Sequence, residues 1–195
     1  LQNLKSCPID DRTWNDESRS LFLRLLASGP ALLQVWEEID FVDIPGRLIP
    51  EWLAIRNRPS ASAAHRYTID RHSVEVVTRL GRETPRGNRY DDRHYQALLL
   101  AGILHDVGKR PWVADHAAEG ARHASMVLKR MGFDRDIIWW VTLLVREHLT
   151  LSEFATGQNP NDPNVGDELA SRLDHDPLLL DMLFDLTRAD GSSLG

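Results

Sequence analysis

Cysteine is almost absent from this chain: Cys7 is its only one, so no intrachain disulfide can form and a reducing cytoplasm is the expected setting. No apolar run is long enough to span a bilayer. The first residues, Leu1-Gln-Asn-Leu-Lys5, lack the charged-then-apolar pattern of a secretory signal. Positive charge is not in surplus either. Against 29 Asp and Glu stand 23 Lys and Arg, a formal net charge of −6. A general nucleic-acid binder, which neutralises phosphates with a basic face, is therefore not expected. A phosphate-bearing substrate is not excluded, because a bound metal can supply positive charge locally. Repeats and low-complexity tracts are missing, as are alternating strands joined by Asn-Gly or Asp-Gly turns. What is present, 42% hydrophobic and 27% charged residues over 195 positions, is enough for a domain with a real core.

Helical periodicity runs through that material and predicts an all-α fold. Asp16 or Ser18 can start a helix that stops at Gly29-Pro30. A second is expected from Ala31 to about Asp40, and a third from Pro45 to Ile55, since proline suits a first turn. Further helices are expected at Ile69–Arg82, Asp91–Lys109, Asp115–Met131, Asp134–Glu147 and Pro177–Ala189, with a weaker signal at Val165–Leu173. Gly87-Asn88 reads as a break. Ser152 to Asn164, with Gly157, Asn159-Pro160 and Asp162-Pro163, reads as a loop and a candidate lid.

The chemistry concentrates at His105-Asp106, which follows the apolar run Ala97–Leu104. Imidazole nitrogen and carboxylate oxygen together suit a divalent cation such as Mn, Fe, Zn or Mg. Two ligands do not make a site, but His72 and Asp190 lie on apolar helix faces upstream and downstream. His72 shares its stripe with Val76 and Leu80, and Asp190 follows Leu183 and Leu186. Four ligands on three helices meeting in a core is a common way for helical folds to build a metal centre. His116 and His148, also at helix ends, are expected as second-metal or substrate-phosphate residues. Lys109, one turn from the pair, is placed to meet a phosphate oxygen. His94, His123 and His175 read as surface residues, Trp139-Trp140 as helix packing, and His65 as either a cleft or a structural residue.

The order His, His-Asp, Asp resembles the signature of the HD superfamily of metal-dependent phosphohydrolases. Three stretches narrow the resemblance: His65-Arg-Tyr-Thr-Ile-Asp-Arg-His72, Leu98–Lys109 with its His-Asp-Val-Gly-Lys, and Asp115-His-Ala-Ala-Glu-Gly-Ala121. They are similar to the central HD domain of the bifunctional uridylyltransferase/uridylyl-removing enzymes that modify the PII nitrogen-regulatory protein. Leu23–Gly29 and Ile49-Pro-Glu-Trp52 resemble the helical lead-in of that domain, and Thr187-Arg-Ala-Asp190 its last ligand motif. The resemblance implies an HD-domain helical bundle (residues 61–195) behind an N-terminal lead-in (1–60). It implies a divalent metal, Mn or Fe first, held by His72, His105, Asp106 and Asp190. Asp106, Lys109, His116 and His148 are then the catalytic candidates, with His116 or His148 protonating the departing oxygen. The substrate implied is a PII-type protein carrying a nucleotidylated tyrosine, UMP or AMP, with glutamine as a candidate effector. No nucleic-acid or membrane partner is expected.

Two departures shape the expectation. The family usually reads Arg-His-His where this chain has Arg146-Glu147-His148, so a second metal is expected to bind weakly or not at all. Neither the nucleotide-adding domain nor the small-molecule-binding ACT domains fit in these 195 residues, which reads as an excised module. Two alternatives stay open. One is another HD phosphohydrolase, acting on free, stringent-response or cyclic nucleotides, although the Gly-Tyr-Pro extension of cyclic-di-GMP hydrolases does not follow His148. The other is a non-catalytic, metal-stapled regulatory domain.

Overall fold

The computed structural model describes residues 14–60, 66–84, 90–159 and 162–194. Cys7, His65 and the Gly87-Asn88 break lie outside them. The fold is all-α. The helices are α1 (Asp16–Leu26), α2 (Ala31–Phe41), α3 (Ile44–Leu48), α4 (Ile69–Glu83) and α5 (Asp92–Leu104). They continue as α6 (His116–Arg130), α7 (Arg135–Glu147), α8 (Thr150–Gly157), α9 (Pro163–Arg172) and α10 (Pro177–Gly191). Side-chain caps start most of them. Asn15, Asp91, Asp115, Asp134, Asp162 and Asp176 each accept a backbone N–H from the first turn they precede, satisfying donors that the helix leaves free.

Three boundaries differ from the sequence expectation. The third helix is interrupted: α3 ends at Leu48, and Pro50–Ala54 forms a separate 3-10 turn, because Pro50 cannot donate to a continuing α-helix. The helix expected to reach Lys109 stops at Leu104, with His105 as its C-cap. Of the expected lid, Ser152 to Gly157 lie in helix α8 and Asn164 in α9, since the breaker residues cluster only from Gly157 onward. The link between α8 and α9 is correspondingly short.

The central helix α5 is buried along nine residues from Ala97 to Leu104 and Tyr95. It packs against α4 and α7, while α6 lies on α7 and α10 on α4. The lead-in shares this core: Phe22, Leu26, Trp36 and Trp52 are buried in the same hydrophobic cluster as Leu98 and Leu183. Trp36 and Trp52 meet edge to face at 5.3 Å, and Glu51 receives a two-pronged bond from Arg130 of α6 at 2.9 and 2.7 Å. Burial alone would raise the Glu51 carboxyl; the Arg130 hydrogen bonds outweigh it and hold it below its ordinary value.

One close approach positions the site. A methyl group on Gly108 would lie 2.1 Å from the His116 carbonyl oxygen and 2.4 Å from the Gly120 nitrogen. Only a residue without Cβ lets the turn after α5 rest on the first turns of α6.

Candidate metal centre

Six side chains converge from helix ends. His72 comes from the first turn of α4, His105 caps α5, Asp106 follows in the turn, His116 opens α6, His148 caps α7 and Asp190 closes α10. His72, His105, Asp106 and His148 are buried, and His116 and Asp190 are half-buried. The imidazoles form a chain, with His72–His105, His105–His148 and His116–His148 each meeting at 5.4 Å between ring centroids.

The donors fall into two groups. His72, His105 and Asp190 have ligand atoms within 4.8 Å of one another, and so do Asp106, His116 and His148. Asp190 Oδ1 lies 2.7 Å from His72 Nε2 and 3.9 Å from His105 Nε2. The Asp106 carboxylate stands between the groups: Oδ2 is 3.4 Å from His105 Nε2, whereas Oδ1 is 3.7 Å from His148 Nε2 and 4.0 Å from His116 Nε2.

Backbone carbonyls orient three of the rings. His105 Nδ1 lies 2.8 Å from the Gly102 oxygen, His148 Nδ1 2.6 Å from the Val145 oxygen and His72 Nδ1 3.1 Å from the Ser193 oxygen. A carbonyl can only accept, so Nδ1 carries the hydrogen and donates in each case. In a neutral His105 or His148 ring that leaves the Nε2 lone pair facing the centre, whereas His72 Nε2 meets the Asp190 carboxylate at 2.7 Å. The first two partners are last-turn carbonyls that a helix end leaves without an intrahelical donor.

These atoms fit a cation. His105 Nε2, His116 Nε2, His148 Nε2 and Asp106 Oδ1 are buried and have no hydrogen-bond partner. Converging buried acceptors of this kind are costly unless something electropositive meets them, and the nitrogen-oxygen set suits a borderline or hard divalent ion. Electrostatics point the same way. Burial alone would lower His105, but the Asp106 and Asp190 carboxylates override it and raise it to about 9. Burial would raise Asp106, yet His105, Lys109 and His148 hold it well below the usual carboxylate range. Asp190 is lowered too, by the His72 hydrogen bond and the His105 charge working against burial. Burial lowers His116, and pushes His148 down to about 4 with help from a charged His105. The centre thus draws positive charge and keeps its outer imidazoles neutral.

Other sequence expectations fare differently. Lys109 donates to Asp106 Oδ2 at 2.7 Å, so it anchors the shared carboxylate as well as flanking the centre. Glu147 turns away: its Oε2 accepts from Thr150 at 2.7 Å and lies 3.4 Å from Arg172 Nη1. The outer donor group of Asp106, His116 and His148 does not include it. His123 is not a surface residue; it is buried with Nε2 2.8 Å from Glu119, and its helical spacing from Gly120 was the available signal. His94 is mostly covered, stacking on Trp140 at 4.2 Å. His175 is exposed, as is much of Trp139. The carbonyls of Gly102, Val145 and Ser193 were invisible to sequence reasoning, although the first two sit at the same three-residue offset from their histidines.

A family model described as HD domain matches residues 69–180. The chain belongs to the HD-domain family. The match spans His72, His105, Asp106, Lys109, His116 and His148, and ends before Asp190. This HD domain is 37% identical over 182 residues to the bifunctional uridylyltransferase/uridylyl-removing enzyme of Streptomyces coelicolor, covering 93% of this chain and 21% of that protein. It is 35% identical over 182 residues to the enzyme of the same name from Mycobacterium tuberculosis, at 93% and 22% coverage. The Corynebacterium glutamicum enzyme is 29% identical over 195 residues, at 98% and 27%. The chain thus spans about a fifth to a quarter of the length of these curated relatives. Family and relatives support a metal-dependent phosphohydrolase, and no helix among the described residues is long and apolar enough to cross a membrane.

Proposed function

We propose that this HD domain hydrolyses the phosphodiester joining a nucleoside monophosphate, UMP first and AMP second, to a tyrosine of a PII-type signal protein. The observation that carries the reading is the set of carbonyl-oriented imidazoles whose Nε2 atoms meet Asp106 and Asp190. In this reading His72, His105, Asp106 and Asp190 would hold one divalent ion, Mn or Fe, and Asp106, His116 and His148 would hold a second. Bound there, such ions would supply Lewis-acid polarisation of a phosphoryl oxygen and a water of lowered pKa.

The chain's own residues do the rest. Asp106 directs one oxygen to each donor group, and Lys109 fixes that carboxylate while its charge offsets the phosphoryl oxygens. The departing group, a tyrosine phenolate with an ordinary pKa of about 10, leaves without a strong acid. His116 and His148 therefore serve better as neutral donors than as proton sources, His148 above all, since burial holds it at about 4.

The test is release of UMP from a uridylylated PII-type protein by this chain, after chelation and after re-addition of Mn. Release that disappears with chelator and returns with Mn is the expected result. Failure to release UMP with the metal restored, beside hydrolysis of free nucleotides, would move the substrate to that class. No hydrolysis of either would favour the non-catalytic domain.

A further inference from the structure

A cavity of about 640 Å³ opens beside the outer donor group, within the size range of small-molecule sites. His116 belongs to both: its Nε2 faces Asp106 at 4.0 Å, and the residue also lines the cavity. His116 thus borders both the cavity and the place where a scissile phosphate would sit.

Its lining is unusual for this chain. Ala117, Ala118 and Ala121 give α6 a floor of methyl groups, low enough for a flat ring to rest on at van der Waals distance. Thr142 and Arg146, one turn apart on α7, form the facing wall, and Glu153 of α8 stands at the edge. The Thr142 hydroxyl has no hydrogen-bond partner. Arg146 is largely exposed, with the Glu147 carboxylate at 3.6 Å, and Glu147 is engaged by Thr150 and Arg172. Arg172 is also committed to Glu168 at 2.8 Å. Arg146 and Glu153 are thus offered to a ligand, as is Asp115, whose Oδ1 also caps α6 through the Ala118 N–H.

We propose that this cavity is the subsite for the nucleoside of the nucleoside monophosphate that hydrolysis releases. The base lies on the alanine floor, Arg146 donates to its carbonyl oxygens, and Glu153 accepts from its ring N–H or from the ribose hydroxyls. A donor and an acceptor facing one flat ring match a base edge that offers both carbonyl and N–H groups. The flanks of a tyrosine are the less suitable occupant, because a polypeptide runs on in both directions and a single nucleoside does not. The inference rests on the phosphodiesterase reading of the neighbouring centre and adds which side of the phosphate this cavity receives.

Ala118 is exposed on the cavity wall, so Ala118→Phe fills the space without disturbing the core. Two readouts test the proposal on the whole chain. The first is the ratio of kcat/KM for the p-nitrophenyl ester of UMP to that for bis-p-nitrophenyl phosphate, which lacks a nucleoside. The second is calorimetric titration with UMP, which needs no turnover. By filling the space the base would occupy, Ala118→Phe should lower the ratio and weaken UMP binding by about tenfold or more. Arg146→Ala should move both in the same direction, and it keeps the test open should the phenylalanine variant misfold. An unchanged ratio, or UMP affinity indifferent to both substitutions, would overturn the subsite. If no form hydrolyses either ester, the phosphodiesterase reading fails on its own. The titration then still decides: UMP binding sensitive to Ala118→Phe keeps the cavity as a nucleoside site, and its absence removes it.

Discussion

Asp106→Ala should reduce phosphodiester hydrolysis by about a thousandfold or more, seen in kcat rather than in KM alone, on the scale of removing a charge-stabilising group from a reaction centre. The reason is position. Among the described residues Asp106 alone has one carboxylate oxygen toward His105 and the other toward His116 and His148, so its loss opens both donor groups at once. It also releases Lys109, whose ammonium it holds at 2.7 Å. His123→Ala is the fitting control, a buried histidine that bonds Glu119 and takes no part in either donor group. Hydrolysis of bis-p-nitrophenyl phosphate by the metal-loaded wild type and both variants checks the expectation. Undiminished turnover in Asp106→Ala would exclude this cluster as the catalyst.

Gly108→Ala should destabilise the fold by roughly 3 kcal/mol or more, because overpacked sites cost about 1–3 kcal/mol even where neighbours can shift. Here they cannot shift cheaply: the added methyl meets backbone, the His116 carbonyl at 2.1 Å and Gly120 at 2.4 and 2.8 Å. Relief requires the turn after α5 to part from α6, and that movement carries His116 away from Asp106. For a chain of this length the loss corresponds to a fall in Tm of about 10 °C. A melting curve followed by circular dichroism, with activity measured well below the transition, checks both parts. A variant with wild-type Tm would show that the contact has slack the structure does not reveal. Gly157→Ala, in α8 with nothing within 4 Å of the added methyl, should leave Tm near the wild-type value or slightly higher.

The contrast between those glycines shows where sequence reasoning reached and where it stopped. His72, His105, Asp106 and Asp190 could be singled out together because each follows apolar residues at helical spacing, and a periodic pattern survives without coordinates. Aspartate caps were legible for the same local reason, and they placed most helix starts within a residue or two. What sequence could not carry was the relation between elements. Nothing in the string says that Gly108 meets Gly120, or that α5 stops at Leu104 so that His105 and Asp106 sit at a cap and a turn. That break is what lets Asp106 face both donor groups, where a continuing helix would diverge the pair by about 100°.

Glu147 shows what a motif leaves out. Alignment by motif set it where a histidine is usual and suggested a weakened second site, yet adjacent residues at a helix end point apart. His148 turns inward to cap α7, while Glu147 turns toward Thr150 and Arg172. His123 was misjudged because its polar neighbours Arg122 and Glu119 resembled a solvated face; they fold over the ring and cover it. The lid expected at Ser152–Asn164 failed on the weight given to Gly157 and two prolines. Leu151 packs against the core and the helix persists to the glycine before it ends.

The central claim is that these six side chains hold divalent metal. It is tested most directly by elemental analysis of the chain purified without chelator, wild type beside His105→Ala. A stoichiometric transition metal in the wild type and a clear loss in the variant is the predicted result. Equal metal content in the two proteins would contradict it.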